Sequence, residues 1–420
     1  MDQKRLIKSL NHNKDRMFTT LRWIVFSFIV GVVLGIIGAI FYHGIKGVTA
    51  YRLEHPWVLA LLPIGAVLIR LMYHLANYDN DGGTNLVLSA IHSDDNIPKR
   101  MSGLIFISTI FSHFVGASVG REGAALQLGG SIGNSVGKLF RFNDTDKKTM
   151  IMVGMSAVFS ALFGTPMAAA IFSMEVVSVG IMHYAALLPC VIASFVARGV
   201  AIYLGAPNAS YTIEAIPSFG LGSGLETAFL AILCGLVSIL FCASLHQSDK
   251  LAKKYLKNPY LRALIGGSIA LVLTLLVGDQ SYNGAGVDYI IDCMDGETDT
   301  FAFLIKILFT VICITAGYKG GEIVPSFFIG ASFGCMFGSM IGFAPSLCAA
   351  IGMGAVFCGV TNSPITSFII CLELFGMDAA PYFLLAIALS YMVSGYYGLY
   401  SSQKIVYSKY KSNYINTQTK

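Results

Sequence analysis

The sequence predicts an all-α polytopic membrane protein made of two inverted-topology repeats with broken and re-entrant helices. Three observations carry that fold class: an apolar composition, Lys/Arg-rich segments set beside long apolar runs, and an ungapped internal match between the two halves. Of the 420 residues, 55% are hydrophobic and 12% charged, with a mean hydropathy of +0.69, whereas a soluble domain carries roughly 25% charged residues. Apolar runs long enough, or nearly so, to span a bilayer recur at Trp23–Tyr42, Trp57–Ala76, Met150–Met174, Ala185–Leu204, Leu225–Leu245 and Ala263–Val277. One embedded domain follows, with no room for a soluble catalytic domain.

The net charge of +5 is a matter of topology rather than of nucleic-acid affinity, because the basic residues cluster next to apolar runs. The first 22 residues hold six Lys/Arg against two acids, residues 247–262 hold five against one, and the tail from Gln403 holds four against none. These segments are expected on the cytoplasmic side. Residues 278–301 carry six acids and no Lys or Arg, as an external loop does. Both termini are therefore expected to face the cytoplasm, in an inner or plasma membrane. The first apolar run lacks a small-residue cleavage site and reads as a retained helix. Nine Cys without a CxxC pair read as small buried side chains, and no metal or cofactor is expected.

Residues 156–175, SAVFSALFGTPMAAAIFSME, align without gaps onto residues 354–373, GAVFCGVTNSPITSFIICLE, at a constant spacing of 198. Pro166 and Pro364 coincide, as do Glu175 and Glu373. Gly129 and Gly133 match Gly330 and Gly334 at a spacing of 201, each GxxxG pair suited to close helix packing. The chain is an internal duplication, with a first repeat over about 20–204, a second over about 224–400 and a cytoplasmic tail at 408–420. Transporter repeats relate by a two-fold axis, in or normal to the membrane, and place the substrate site at their interface. Hydrophobic segments broken at Gly120–Gly123, Gly317–Pro325 and Pro364 predict half-helices ending inside the protein. Free N–H groups and the positive dipole end of such a half-helix bind an anion.

In Gly120-Arg121-Glu122-Gly123-Ala124, Glu122 falls at the N-terminus of an apolar helix over Ala124–Val136. A carboxylate there competes with a bound anion when ionised and yields when protonated, which links proton and anion binding; the plainer alternative is a capping residue. Arg121 is expected to pair with an acid or a carbonyl. In Lys319-Gly320-Gly321-Glu322-Ile323-Val324-Pro325, Pro325 suits a first helical turn, and the amides of Ile323 and Val324 face an anion. Glu322 is either a second proton carrier or a structural partner for Lys319 or a backbone group. Thr84 and Asn85 in Gly82-Gly83-Thr84-Asn85-Leu86 are helix caps or donors to an anion. Glu175 and Glu373 read as structural, and His113 as a packed residue. Tyr407 is an interfacial belt residue or an inward hydroxyl donor.

Four elements in order, GGTNL at 82–86, GREGA at 120–124, GEIVP at 321–325 and KIVYS at 404–408, resemble the CLC family of anion channels and proton-coupled exchangers across nearly the whole chain. The resemblance implies a homodimer with one anion pathway per subunit, gated by Glu122. It also implies Thr84, Asn85, Gly123, Ile323, Val324 and Tyr407 at the anion. Chloride-handling members usually have serine in GSGIP and proline after GREG, where this chain has Thr84 and Ala124. Both departures, and the Gly320-Gly321-Glu322 run, are similar to the bacterial fluoride/proton antiporter branch. That branch also lacks the internal proton-transfer glutamate, here Val176. One departure runs the other way: branch members can carry a hydroxyl residue where Val324 stands.

The expected activity is fluoride export in exchange for protons, with chloride/proton exchange or a passive chloride channel as the alternative and the lipid bilayer as its setting. An intramembrane hydrolase would need Ser112 and His113 to meet, yet adjacent helical residues project apart, and neither GxSxG nor HExxH occurs. The chain is not expected to be an enzyme.

Overall fold

The computed structural model describes residues 3–420 apart from Asp94, Asn208 and Ala209, and leaves the side chains of residues 3–13 and of Asp144 undescribed. The first half runs α1 (Gln3–Glu54), a 3₁₀ turn (Pro56–Leu61), α2 (Leu62–Leu75), α3 (Gly83–His92) and α4 (Arg100–Val115). It continues through α5 (Glu122–Leu139), α6 (Lys147–Phe163), α7 (Pro166–Glu175) and α8 (Leu187–Tyr203). The second half repeats the series as α9 (Leu221–Tyr255), α10 (Pro259–Val277), α11 (Val287–Met294) and α12 (Ala302–Ala316). It ends with α13 (Ile323–Ile341), α14 (Pro345–Thr361), α15 (Pro364–Phe375) and α16 (Ala380–Val393). Among the described residues six helices are long and apolar enough to cross a membrane, and the chain is a multi-pass membrane protein.

Each packing contact in one half has its counterpart in the other. The α5–α6, α1–α8 and α6–α8 pairs correspond to α13–α14, α9–α16 and α14–α16. Three helices instead meet their own equivalents, α2 with α10, α7 with α15 and α5 with α13. Such self-pairs lie along a two-fold axis. Gly120 and Gly321, equivalent at a spacing of 201, pair in antiparallel sense across it, so the halves run in opposite directions and the topology is inverted. The GxxxG pairs act as the sequence predicts. A Cβ on Gly129 would overlap the carbonyl of Gly154, and one on Gly330 the carbonyl of Gly352, so only glycine lets α5 and α13 approach α6 and α14 this closely.

Two features depart from the sequence expectation. The run Met150–Met174 is two helices, because Gly164 adopts a left-handed conformation (φ 82°) after α6 and Pro166 starts α7; Asn362 (φ 57°) and Pro364 repeat the break between α14 and α15. The otherwise helical chain also carries a small sheet: Ser178–Val179 (β1), Lys404–Tyr407 (β2) and Tyr414–Gln418 (β3) form three strands, the last of them in the tail from 408. Thr419 Oγ1 donates to the carbonyl of Tyr400 at 2.6 Å. All nine cysteines are buried.

Candidate functional site

The two broken segments meet at the pseudo-two-fold axis. Gly120 N–H donates to the Gly321 carbonyl at 2.6 Å, and Gly321 N–H returns the bond at 2.8 Å. A Cβ on Gly123 would stand 2.8 Å from the Gly321 Cα, so the clamp needs glycine on both strands. It holds the starts of α5 and α13 side by side. The first intrahelical donors are Ala125, to Arg121 O, and Ser326, to Glu322 O. The earlier amides of Glu122, Gly123 and Ala124, and of Ile323 and Val324, have no partner within their helices. Neither N-cap residue closes its helix with a side-chain bond. Two positive half-helix ends therefore converge on one region.

Glu122 is fully buried, and its carboxylate fills one of these ends. Oε2 accepts from Arg121 N–H at 3.0 Å, Oε1 accepts from Arg121 Nε at 3.2 Å, and the carboxylate also bonds its own amide. The side chain is thus a tethered anion seated on the donors that a free anion would use. Arg121 donates to the carbonyl of Leu162 at 3.3 Å and lies 5.2 Å above the Tyr42 ring, so it pairs with an acid and a carbonyl together. A cavity of about 270 Å³ opens on Glu122, Val324, Phe327 and Tyr211. A larger one of about 570 Å³ shares Tyr42, Arg121 and Val287 with it and reaches Asp288 and Asp292. Together they join Glu122 to the face bearing residues 278–301.

On the α3 side, Thr84 Oγ1 donates to the Gly123 carbonyl at 3.2 Å and accepts from Gln127 Nε2 at 3.2 Å. Its proton is therefore directed at the α5 backbone in this conformation. Asn85 does not cap α3; its Oδ1 accepts from Ser402 N–H at 2.9 Å and anchors the segment that carries Tyr400. Ile323 and Val324 are buried and put their amides at the axis. Glu322 is partly buried and bonds its own amide, as Glu122 does. Lys319 is held elsewhere, in an ion pair with Asp81 at 2.7 Å, and Asp81 also accepts from Gly83 N–H at 3.0 Å.

Tyr407 is a correction. It ends β2 at 45% exposure and packs edge-on against Tyr414, where the strand register shifts between Ile405 and Tyr407. A second tyrosine, Tyr400, lies inside the protein instead. It is buried, its hydroxyl has no hydrogen-bond partner, and it lies within electrostatic reach of both Glu322 and Glu122. The signal in the sequence was the glycine break at Gly395 and Gly398, which ends the last apolar helix just before Tyr400. Gln127 and Asp81 were also missed. Ser112 and His113 do not meet in a catalytic pair: Ser112 Oγ donates to Ser108 O at 2.8 Å and accepts from Lys319 N–H at 3.1 Å.

Glu175 and Glu373 have a different task. Glu175 accepts from the amides of Ile365 and Thr366 at 3.0 and 2.8 Å and from the Thr366 hydroxyl at 2.6 Å. Glu373 accepts from the amides of Met167 and Ala168, each at 2.9 Å. Each glutamate caps the proline-started half-helix of the opposite repeat.

Comparison with known proteins agrees with this architecture. The model of the voltage gated chloride channel family matches residues 64–395. A chloride/fluoride channel protein of Pseudomonas syringae pv. tomato is 35% identical over 93% of this chain and 88% of its own. An H(+)/Cl(-) exchange transporter of Vibrio vulnificus is 26% identical over 82% of this chain and 80% of its own. Among solved structures, a CLC-type fluoride/proton antiporter superposes with a TM-score of 0.89 at 29% identity, covering 92% of this chain and 98% of that one. A slow cyanobacterial Cl-/H+ antiporter shares the fold, with a TM-score of 0.74 at 19% identity over 89% and 94% of the two chains. Paired half-helix ends on an inverted two-fold axis, and a family match across most of the length, lead to one conclusion: this chain belongs to the voltage-gated chloride channel (CLC) family of anion channels and exchangers.

Proposed function

We propose that this chain exports fluoride in exchange for protons, with Glu122 as the gate and proton carrier. The observation that carries this reading is the Glu122 carboxylate lying on the Arg121 and Glu122 amides at the α5 start, beside the equivalent start of α13. Protonation weakens its hold on those donors and lets it leave, and an incoming anion takes its place. The ionised carboxylate and the anion then exclude each other at one spot, so that protonation of Glu122 and anion entry are linked. Val176, fully buried, offers no acid where chloride/proton exchangers have an internal one. Protons therefore travel with Glu122 itself, and Glu322, which bonds its own amide in the same manner, is the acid placed to receive them. A small, strongly hydrated anion needs good donors to replace lost water; the half-helix amides, Thr84 once released from Gly123, and the unpartnered Tyr400 hydroxyl are those donors.

Both repeats, about 20–204 and 224–400, contribute to the pathway. The protein works as a homodimer in an inner or plasma membrane with its termini on the cytoplasmic side. One relative is named a chloride/fluoride channel protein, so chloride/proton exchange by the same residues is the reading to test against. Ion efflux from proteoliposomes decides between them. Fluoride that far outpaces chloride, and that accumulates uphill when a proton gradient is imposed, supports the proposal. Chloride moving as fast, or fluoride flow indifferent to the proton gradient, overturns it.

A further inference from the structure

The larger cavity holds a group of buried basic side chains that the exchange at Glu122 does not use. Arg52, in the last turn of α1, is only 2% exposed, and its Nε and one terminal nitrogen, Nη1, have no hydrogen-bond partner. His113, near the end of α4, is 1% exposed, and its Nε2 is likewise unpartnered. Both line the cavity of about 570 Å³. They converge beneath Gly284, whose missing Cβ would stand 3.5 Å from Arg52 Nη2 and 3.6 Å from His113 Nδ1. Lys306, fully buried on α12, lies within electrostatic reach of both residues. Its ammonium is already satisfied by the carbonyls of Tyr282 at 3.0 Å and Gly284 at 2.9 Å, so it contributes field rather than free donors.

No carboxylate among the described residues forms an ion pair with Arg52. Asp288 and Asp292 line the same cavity but are exposed to solvent, where water screens them. A buried guanidinium with unmade hydrogen bonds is costly unless something completes it, and buried unsatisfied donors call for an explanation. We infer that this cavity is a second anion site. In it Arg52, beside the His113 ring, holds a small inorganic anion, halide-sized, between the acidic 278–301 face and Glu122. Arg121 and Tyr42 border both cavities, so an ion leaving Arg52 meets Arg121 next and then the gate. The site gathers anions that the acidic rim would otherwise repel and places them one step from the exchange point. Its occupancy does not depend on which halide the gate selects.

Two measurements test it together. The first is anomalous diffraction from wild-type crystals soaked in bromide. The second is fluoride flux through oriented proteoliposomes of wild type and Arg52→Gln, with fluoride supplied on either face in turn. The expected results are a bromide peak within hydrogen-bonding distance of Arg52, and a half-saturating fluoride concentration raised about tenfold in Arg52→Gln, the worth of one charge-assisted hydrogen bond. That rise is expected only when fluoride is supplied on the 278–301 face, with maximal flux retained. Absence of bromide at Arg52, an unchanged half-saturation, or an equal change from both faces overturns the site. If Arg52→Gln does not fold, the bromide map decides alone. A wild type that moves no anion at all sinks the transport reading, while the bromide map still decides the cavity.

Discussion

Glu122 and Glu322 occupy one pair of equivalent half-helix starts, and Glu175 and Glu373 guard another. Both pairs are acids beside broken helices, but Glu175 and Glu373 are equivalent positions whereas Glu322 matches Arg121, one residue before Glu122. Their bonding differs. Glu175 and Glu373 reach across the axis and saturate the amides of the opposite repeat's helix, a swap in which five donors are bound to fixed carboxylate oxygens. Glu122 and Glu322 turn back on their own amides and span no gap between the repeats. A carboxylate that joins two helices cannot leave without loosening the fold. One that rests on its own helix can leave and be replaced. The same symmetry thus yields a structural acid in one place and an exchangeable one in the other.

Removing the charge at one member of each pair is the strongest way to break this distinction. Glu122→Gln is expected to abolish proton-driven fluoride accumulation, down to the level of liposomes without protein, while purified protein stays folded. Glu373→Gln is expected to retain uphill accumulation. Loss of coupling in both variants, measured by fluoride electrode under an imposed pH gradient, would erase the difference between the pairs.

The next effect concerns the clamp that brings the exchangeable pair together. A Cβ on Gly321 would overlap the backbone nitrogen of Gly123, and backbone against backbone has no flexible end to yield. Gly321→Ala is therefore expected to force the α5 and α13 starts apart and eliminate flux. Gly222→Ala, with open space around its Cβ position, should leave flux intact. Wild-type flux in Gly321→Ala would mean that the Gly120–Gly321 pairing does not shape the site.

The structural pair predicts a loss of stability instead. Glu175→Ala leaves the amides of Ile365 and Thr366 and the Thr366 hydroxyl without their acceptor, and each buried donor so abandoned costs roughly 1 to 3 kcal/mol. A destabilisation of about 3 kcal/mol or more is expected in thermal unfolding of detergent-solubilised protein. Glu373→Ala, which frees two donors near the surface, should lower the unfolding temperature less. Equal losses would show that the two caps carry equal load despite their unequal burial.

The duplication was legible because both halves keep proline, glutamate and the small-residue stripe at fixed spacing, and those residues are where helices break or touch. The half-helix starts were legible for the same reason: glycine beside an acid inside an apolar stretch has few other uses. The break inside Met150–Met174 was hidden by hydropathy, since Gly164 and Pro166 interrupt the helix without interrupting the apolar run. The caps at Glu175 and Glu373 were readable as structural, yet their exchange across the axis was not, because sequence spacing does not say which helix a carboxylate faces. Arg52, His113 and Lys306 lie on three distant helices, and nothing local marks them as neighbours.

Tyrosine was the misread element, and it gives the smallest and most discriminating test. The KIVYS resemblance points to Tyr407, but β2 leaves that ring at the surface, and the chain buries Tyr400 instead, held by Asn85 through Ser402 and by Thr419. If the Tyr400 hydroxyl is a donor to the passing anion, Tyr400→Phe removes one hydrogen bond from the bound state. Flux at low fluoride should then fall by about tenfold at most, with proton coupling retained because Glu122 is untouched. Tyr407→Phe should leave flux unchanged, since its ring is exposed and packs against Tyr414. The reverse pattern, an effect at Tyr407 and none at Tyr400, would mean that the sheet rearranges during transport and that the strand, rather than the glycine-ended loop before it, supplies the hydroxyl.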